Sequence, residues 1–210
     1  MTPGRFWLAL AGTYCAFFLW YTPLGGPLEQ VEIEEFLAMF ASNDVPPERI
    51  VVWRAFLESD TGGDFAMLNA IEMRAKPLPI EGVLASETSE EILARYTRPF
   101  LGRAFRSAAH PVLLGRAAAP AVDLWGIEGA ETWTTGGIVR YRSRRDLMEQ
   151  ATAVGPTGIH EFKIAAMEKT IAFPLDPWFH LGDPRLVLAL VLSNVGLAWH
   201  LRCARRASPA

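Results

Sequence analysis

The sequence predicts an α+β domain, with strands and helices in the order βαββαβ, between two apolar helices long enough to cross a membrane. Three observations lead there. Both ends of the chain carry long uncharged apolar runs. Residues 62 to 74, GGDFAMLNAIEMR, read as a strand with Phe65, Met67, Asn69, Ile71 and Met73 on one face and Ala66, Leu68, Ala70, Glu72 and Arg74 on the other. Two helix-start signals, at Thr88 and Ser143, fall between strand-like segments. With 50% hydrophobic residues and a net charge of −3, the chain is neither disordered nor a basic polyanion binder.

The first apolar run, Phe6 to Leu24 (FWLALAGTYCAFFLWYTPL), holds 19 residues without a charge. That makes about 28 Å of helix at about 1.5 Å per residue, enough to cross a hydrocarbon core. Trp7 at one end and Trp20 with Tyr21 at the other fit an aromatic belt. A cleaved signal peptide is the competing reading. WYTPLGGPLEQ offers no small-x-small cleavage site, so residues 6–24 are expected to stay as a transmembrane helix. Gly12, Thr13 and Tyr14 before Cys15 do not form a lipoprotein box.

The second run, Leu186 to Leu201, is shorter, and a buried core helix competes with a span. Trp178, Phe179 and Leu181 extend it, and Arg202, Arg205 and Arg206 follow it, which favours a transmembrane helix over 184–203. Gly12 with Ala16, and Ala189 with Ser193, place small residues on one face of each helix, and Asn194 is polar near mid-membrane. These five are expected to pack against other helices. Basic residues flank the outer ends and acidic ones the inner. The positive-inside rule therefore puts both termini in the cytoplasm and the middle of the chain in the periplasm of a bacterial inner membrane. Cys15 and Cys203 then lie outside the oxidising compartment, and no structural disulfide is expected.

Residues 25–60 read as a helical collar. LEQVEIEEFLAMFAS is amphipathic, and Pro46 and Pro47 open a second short helix, ERIVVWRAFLES. The domain proper spans 61–176. After the first strand, Thr88 and Glu91 form a capping box for a helix that Pro99 bends or divides. PVLLGRA reads as strand, 118–131 as a long connection and TWTTGGIVRYR as strand. Ser143 with Asp146 caps RRDLMEQAT, Gly155 and Pro156 break it, HEFKIAAMEK resumes as helix, and TIAFP closes as strand.

This order is the ferredoxin-like split unit, four antiparallel strands with two helices on one face. The other face needs cover, because both sides of the first strand are largely apolar. Phe65, Met67, Ile71 and Met73 are the expected interface, covered by a second copy or another membrane protein subunit. A Met67→Asp exchange would then disrupt assembly.

FAMLNAIEMR, then ARYTRPF, AAHPVLLGR, GGIVRYRSRRDLMEQ and HEFKIAAMEKTIAFP, in that order, resemble the uncharacterised-function families of the dimeric α/β-barrel superfamily. The resemblance covers about residues 47 to 174 and implies face-to-face sheet dimerisation. The superfamily includes haem-degrading and quinone-forming monooxygenases and isomerases, so it does not fix chemistry. The spans and the collar depart from its small soluble members and point to work at a membrane.

No complete catalytic set is visible. Asn69, His110 and Tyr141 are the candidate pocket residues, with Tyr96 and Arg140 beside them, and for each a structural role competes. His160-Glu161 begins like a zinc-protease helix, but Ile164 stands where the second histidine belongs, so no metal site is expected. GGDF at 62 to 65 lacks the acidic residue that would extend it to a nucleotide-cyclase signature. RYRSRRD, 140 to 146, is expected to be a solvated corner, with anionic lipid or an acidic partner as the functional alternative and nucleic acid excluded by topology. The expectation is a non-enzymatic accessory or assembly subunit of a membrane complex, without cofactor. The alternative is a membrane-tethered small-molecule enzyme or binding protein, of cofactor-independent oxygenase or isomerase type, acting on a lipophilic substrate.

Overall fold

The computed structural model describes residues 2–43, 45–178 and 180–207, and only the backbone of Pro156, Arg206 and Ala207. Phe179 and the Arg206 side chain, invoked above at the second apolar run, lie outside the described residues. The chain divides into two compact units, Gly25–Pro177 and one made of the two ends, up to Leu24 and from Trp178.

The end unit consists of α1 (Pro3–Tyr21) and α7 (Pro184–Ala207). Proline at the start of α1 costs no hydrogen bond, since that amide would be unpaired anyway. The helix stops at Tyr21, short of the expected Leu24, because Pro23 disfavours helical backbone at Thr22. Among the described residues one helix is long and apolar enough to cross a membrane, the Pro184–Arg205 stretch of α7. The first expected span, in α1, is less apolar: Arg5 and four Trp and Tyr residues lower the hydropathy of its 19 residues. The two helices pack together, with the Phe6 and Trp199 rings 5.0 Å apart. Gly196 is buried, and a Cβ there would stand 2.3 Å from the Trp7 indole.

In the larger unit, α2 (Gln30–Ser42) begins with a capping box, the Glu29 amide donating to Glu32 Oε2 at 2.8 Å. α3 (Pro47–Glu58) again starts on proline. Leu28, Ile33, Leu37 and Leu57 form one core cluster with Met148, so residues 25–60 share a core with the helix after the third strand.

Four strands, β1 (Phe65–Met73), β2 (His110–Arg116), β3 (Thr135–Tyr141) and β4 (Met167–Leu175), form an antiparallel sheet in the order β2-β3-β1-β4. Helix α4 (Ser89–Ala104) links β1 to β2, while α5 (Arg144–Val154) and α6 (His160–Ala166) link β3 to β4. The fold is α+β with βαββαβ order. Thr88 caps α4 through the Glu91 amide at 3.2 Å, and Ser143 caps α5 through the Asp146 amide at 3.0 Å. Two boundaries differ from the sequence reading. α4 runs through Pro99, which is exposed, so the carbonyl that it frees can bond water. α6 ends at Ala166 and β4 takes over at Met167, where pairing with Met73 outweighs the helical preference of AAMEK.

Gly62, in the turn before β1, has φ of +76°, and a Cβ on it would lie 2.5 Å from the Gly26 carbonyl carbon. Gly62→Ala combines left-handed strain with a backbone clash. It should destabilise the folded state by at least about 2 kcal/mol, read as a lower denaturant midpoint for the detergent-solubilised chain.

Candidate functional site

Pleating sends alternate residues of the sheet to opposite faces, and packing decides which face is covered. Phe65 is 1% exposed and lies with Ala104 of α4, Leu147 of α5 and Tyr141 in one core cluster, onto which Met67 and Val139 also pack. The Phe65 and Tyr141 rings stack at 5.2 Å. Phe65 and Met67, expected at the interface, therefore lie on the helix-covered face. Alternation puts Ile71 there too, and Met73 follows after the register shift at Glu72. The correction has a physical origin: both faces of β1 are apolar, and the bulkier aromatic one was taken by the helices. Met67→Asp thus tests folding before it tests assembly.

The uncovered face carries the other set. Register aligns Leu113, Ile138, Leu68 and Phe173 in one row across all four strands, and Gly115, Gly136, Ala70 and Ile171 in the next. Leu113 is 61% exposed, Phe173 45% and Ile171 39%, which makes a contiguous apolar surface. At one end Arg140 lies over Ala66 and His110 stands opposite it. At the other end Lys169 pairs with Glu72 and bonds the Gly129 carbonyl. The centre is apolar and the rim polar, the anatomy of a protein contact. The β2–β3 connection is tied across by Ala121 N to Glu131 O at 2.8 Å and leaves Val122 and Trp125 almost wholly exposed.

RYRSRRD is not a solvated corner. Arg140 is 2% exposed and donates from Nη2 to Asp64 at 2.9 Å and from Nη1 to the Ala108 carbonyl at 3.0 Å. Arg142 forks onto Asp146, with Nε to Oδ2 at 2.9 Å. Arg144, also buried, bonds the Phe56 carbonyl and Ser59 Oγ, lies 4.4 Å over the Phe56 ring and faces Asp60 at 3.6 Å. Arg145 grips both oxygens of Glu32 at 2.7 and 2.8 Å and reaches the Gly26 and Pro27 carbonyls. Hydrogen bonds from Arg145, then from the Glu29 amide, pull Glu32 down to about 2. Three of the four arginines join the β3–α5 corner to segments upstream of β1, burial that composition did not signal. An open groove of about 300 Å³ beside the corner mixes Arg103 and Arg106 with Glu149, so it has no single sign of charge.

Of the predicted pocket residues, Asn69 donates from Nδ2 to the carbonyl of Met67 at 3.0 Å, tying down its own strand. His110 Nδ1 lies 3.0 Å from the Pro111 carbonyl on the uncovered side. Tyr141 is buried on the covered side, where burial, then the neighbouring Tyr96, pushes its hydroxyl up. The three do not converge. The structure instead collects Tyr96, His160 and Lys163 between α4 and α6: the Tyr96 ring meets His160 edge-on at 5.9 Å and the Lys163 ammonium at 5.6 Å. Sequence spacing flags the i, i+3 pair His160 and Lys163, but not the ring that they meet.

In the end unit, Gly12 has open space around it, Ala16 and Ser193 are exposed and Ala189 is half-buried. Asn194 donates to its own helix, at Leu190 O, 2.7 Å away. Both cysteines are free, and among the described residues no group of three His, Cys, Asp or Glu stands together.

No protein-family model and no curated protein sequence matches this chain. A protein of unknown function from Rhodopseudomonas palustris is similar in structure, at 23% identity and a TM-score of 0.52, over 65% of this chain and 97% of that one. A methylated form of the same protein gives 24%, 0.52, 67% and 96%. That likeness shows the fold. A dimeric protein of unknown function and ferredoxin-like fold from Bacteroides fragilis is more distant, at 13% identity and a TM-score of 0.30, over 55% of this chain and 97% of that one.

Two predictions follow from the arginine corner. Arg144→Ala leaves Asp60 buried without its guanidinium and should cost about 3 kcal/mol, measured by denaturant unfolding. Glu32 has its folded pKa depressed, so its stabilising contribution is present above its ordinary value of 4.5 and is lost as pH falls through about 2. Acid unfolding curves of wild type and Glu32→Gln should therefore converge at the acid end and separate above it.

Proposed function

We propose that this chain is a non-enzymatic accessory or assembly subunit of a membrane protein complex, whose sheet face makes the protein–protein contact. The observation that carries the reading is the row Leu113, Ile138, Leu68 and Phe173, apolar across four strands and without a covering layer among the described residues of the larger unit. Surfaces of this extent and chemistry are disfavoured on free monomers. The occupant is an apolar surface of a neighbouring subunit, and the polar rim at Glu72 and Lys169 sets its orientation.

Membrane attachment is part of the same reading. α7 exposes Leu186, Leu190, Val191 and Leu197, which lipid or neighbouring helices would cover. With α1 as the second span, both termini lie in the cytoplasm of a bacterial inner membrane and the ferredoxin-like domain lies in the periplasm. The resemblance to dimeric α/β barrels makes a second copy of the chain the competing occupant of the face.

The test is native mass spectrometry of the full chain extracted in mild detergent, with Leu113→Asp and Phe173→Asp beside it. A different membrane protein bound at fixed stoichiometry, and lost in both variants while their thermal unfolding stays within about 1 kcal/mol of wild type, is the expected result. A homodimer without any other chain overturns the accessory reading. A monomer throughout overturns the contact face.

A further inference from the structure

Between β2 and β3 the chain leaves the sheet for residues 118–131, AAPAVDLWGIEGAE, and the base of that loop is fastened at several points. Ala117 donates to the Thr134 carbonyl at 3.0 Å and Ala121 to that of Glu131 at 2.8 Å, which holds the two arms together. The Trp133 indole donates to the Ala130 carbonyl at 2.9 Å, while Lys169 of β4 holds the Gly129 carbonyl and lies 5.0 Å over the Trp133 ring. Ala130 is buried. Gly126 and Gly129, with φ of +67° and +69°, supply two left-handed bends. The base is fixed and the tip is bare: Val122 is 97% exposed and Trp125 85%, with Leu124 and Ile127 exposed beside them.

We propose that this loop is an anchor, which seats Trp125 and Val122 in an apolar pocket with a basic rim on the neighbouring subunit. The proposal rests on the accessory-subunit reading and adds to the sheet face a second, protruding contact. Tryptophan is the side chain most enriched among residues that dominate binding energy, because one ring fills and dries a pocket. A loop already closed at its base also spends little conformational entropy on binding, so its apolar tip is ready to dock.

Charge decides the kind of occupant. The segment carries Asp123, Glu128 and Glu131, all exposed, and no lysine or arginine. None of the three acids is ion-paired among the described residues, so the complementary surface is basic. A bilayer fits less well. Anionic headgroups repel three carboxylates, and the Trp125 indole already donates to Asp123 Oδ1 at 2.6 Å, so burying the ring in lipid would draw a carboxylate in with it.

The experiment places the photo-crosslinking residue p-benzoylphenylalanine at position 125 of the full chain in its native membrane, followed by mild-detergent extraction and mapping of the linked peptide by mass spectrometry. The expected product is a link to the same foreign membrane protein that is retained at fixed stoichiometry, at an apolar segment with lysine or arginine beside it. Trp125→Ala should lower the retained fraction at least about tenfold. Asp123→Asn with Glu128→Gln should weaken it less and flatten its salt dependence. All these side chains are exposed, so thermal unfolding should match wild type. A link to lipid, to a second copy of this chain or to a segment without a basic residue overturns the proposal. If Trp125→Ala retains the partner that Leu113→Asp and Phe173→Asp lose, the anchor fails and the contact face stands. If wild type binds no other protein, the accessory reading and the anchor fail together.

Discussion

The corner between β3 and α5 depends on one constraint, that a guanidinium taken out of water must have its charge and its donors answered. Arg140, Arg144 and Arg145 meet it with partners from before β1: Asp64, then the Phe56 carbonyl, Ser59 and Asp60, then Glu32 and the Gly26 and Pro27 carbonyls. Asp60 is itself 3% exposed at its side chain and also accepts from the Leu28 and Gly62 amides. The close approach at Gly62 belongs to the same knot, because the 26–27 backbone passes where a side chain would stand. Between them the three arginines hold α2, the end of α3 and the turn into β1.

Fixing those segments has a consequence for the sheet. With Trp53 and Phe56 of α3 packed on the cluster around Phe65, the helix side of the sheet is filled, and among the described residues of the larger unit no element covers the opposite face. The accessory-subunit proposal grows out of that asymmetry. On the same side of the sheet α4 and α6 bring Tyr96 and Lys163 together.

Local signals were legible in the chain. The capping residues Thr88 and Ser143, the alternation of β1 and the apolar run of α7 all depend on neighbours within about one or two turns, and each appears where the sequence places it. The misplaced boundaries were contests between local preference and distant pairing. AAMEK favours helix, but Met167 gains a strand partner in Met73; Pro99 argues for a break, but exposure lets the helix pass through it.

The sequence by itself determined the α+β class, the βαββαβ order, the apolar character of both faces of β1 and the length of the C-terminal apolar helix. Tertiary structure alone decided which face was covered, which charges the arginines would answer and which ring Lys163 would meet. The physical reason is separation along the chain. Arg140 is 76 residues from Asp64, and Arg145 is 113 from Glu32. A period of two or 3.6 residues fixes where a side chain points on its own element, but carries no information about what the folded chain brings opposite it.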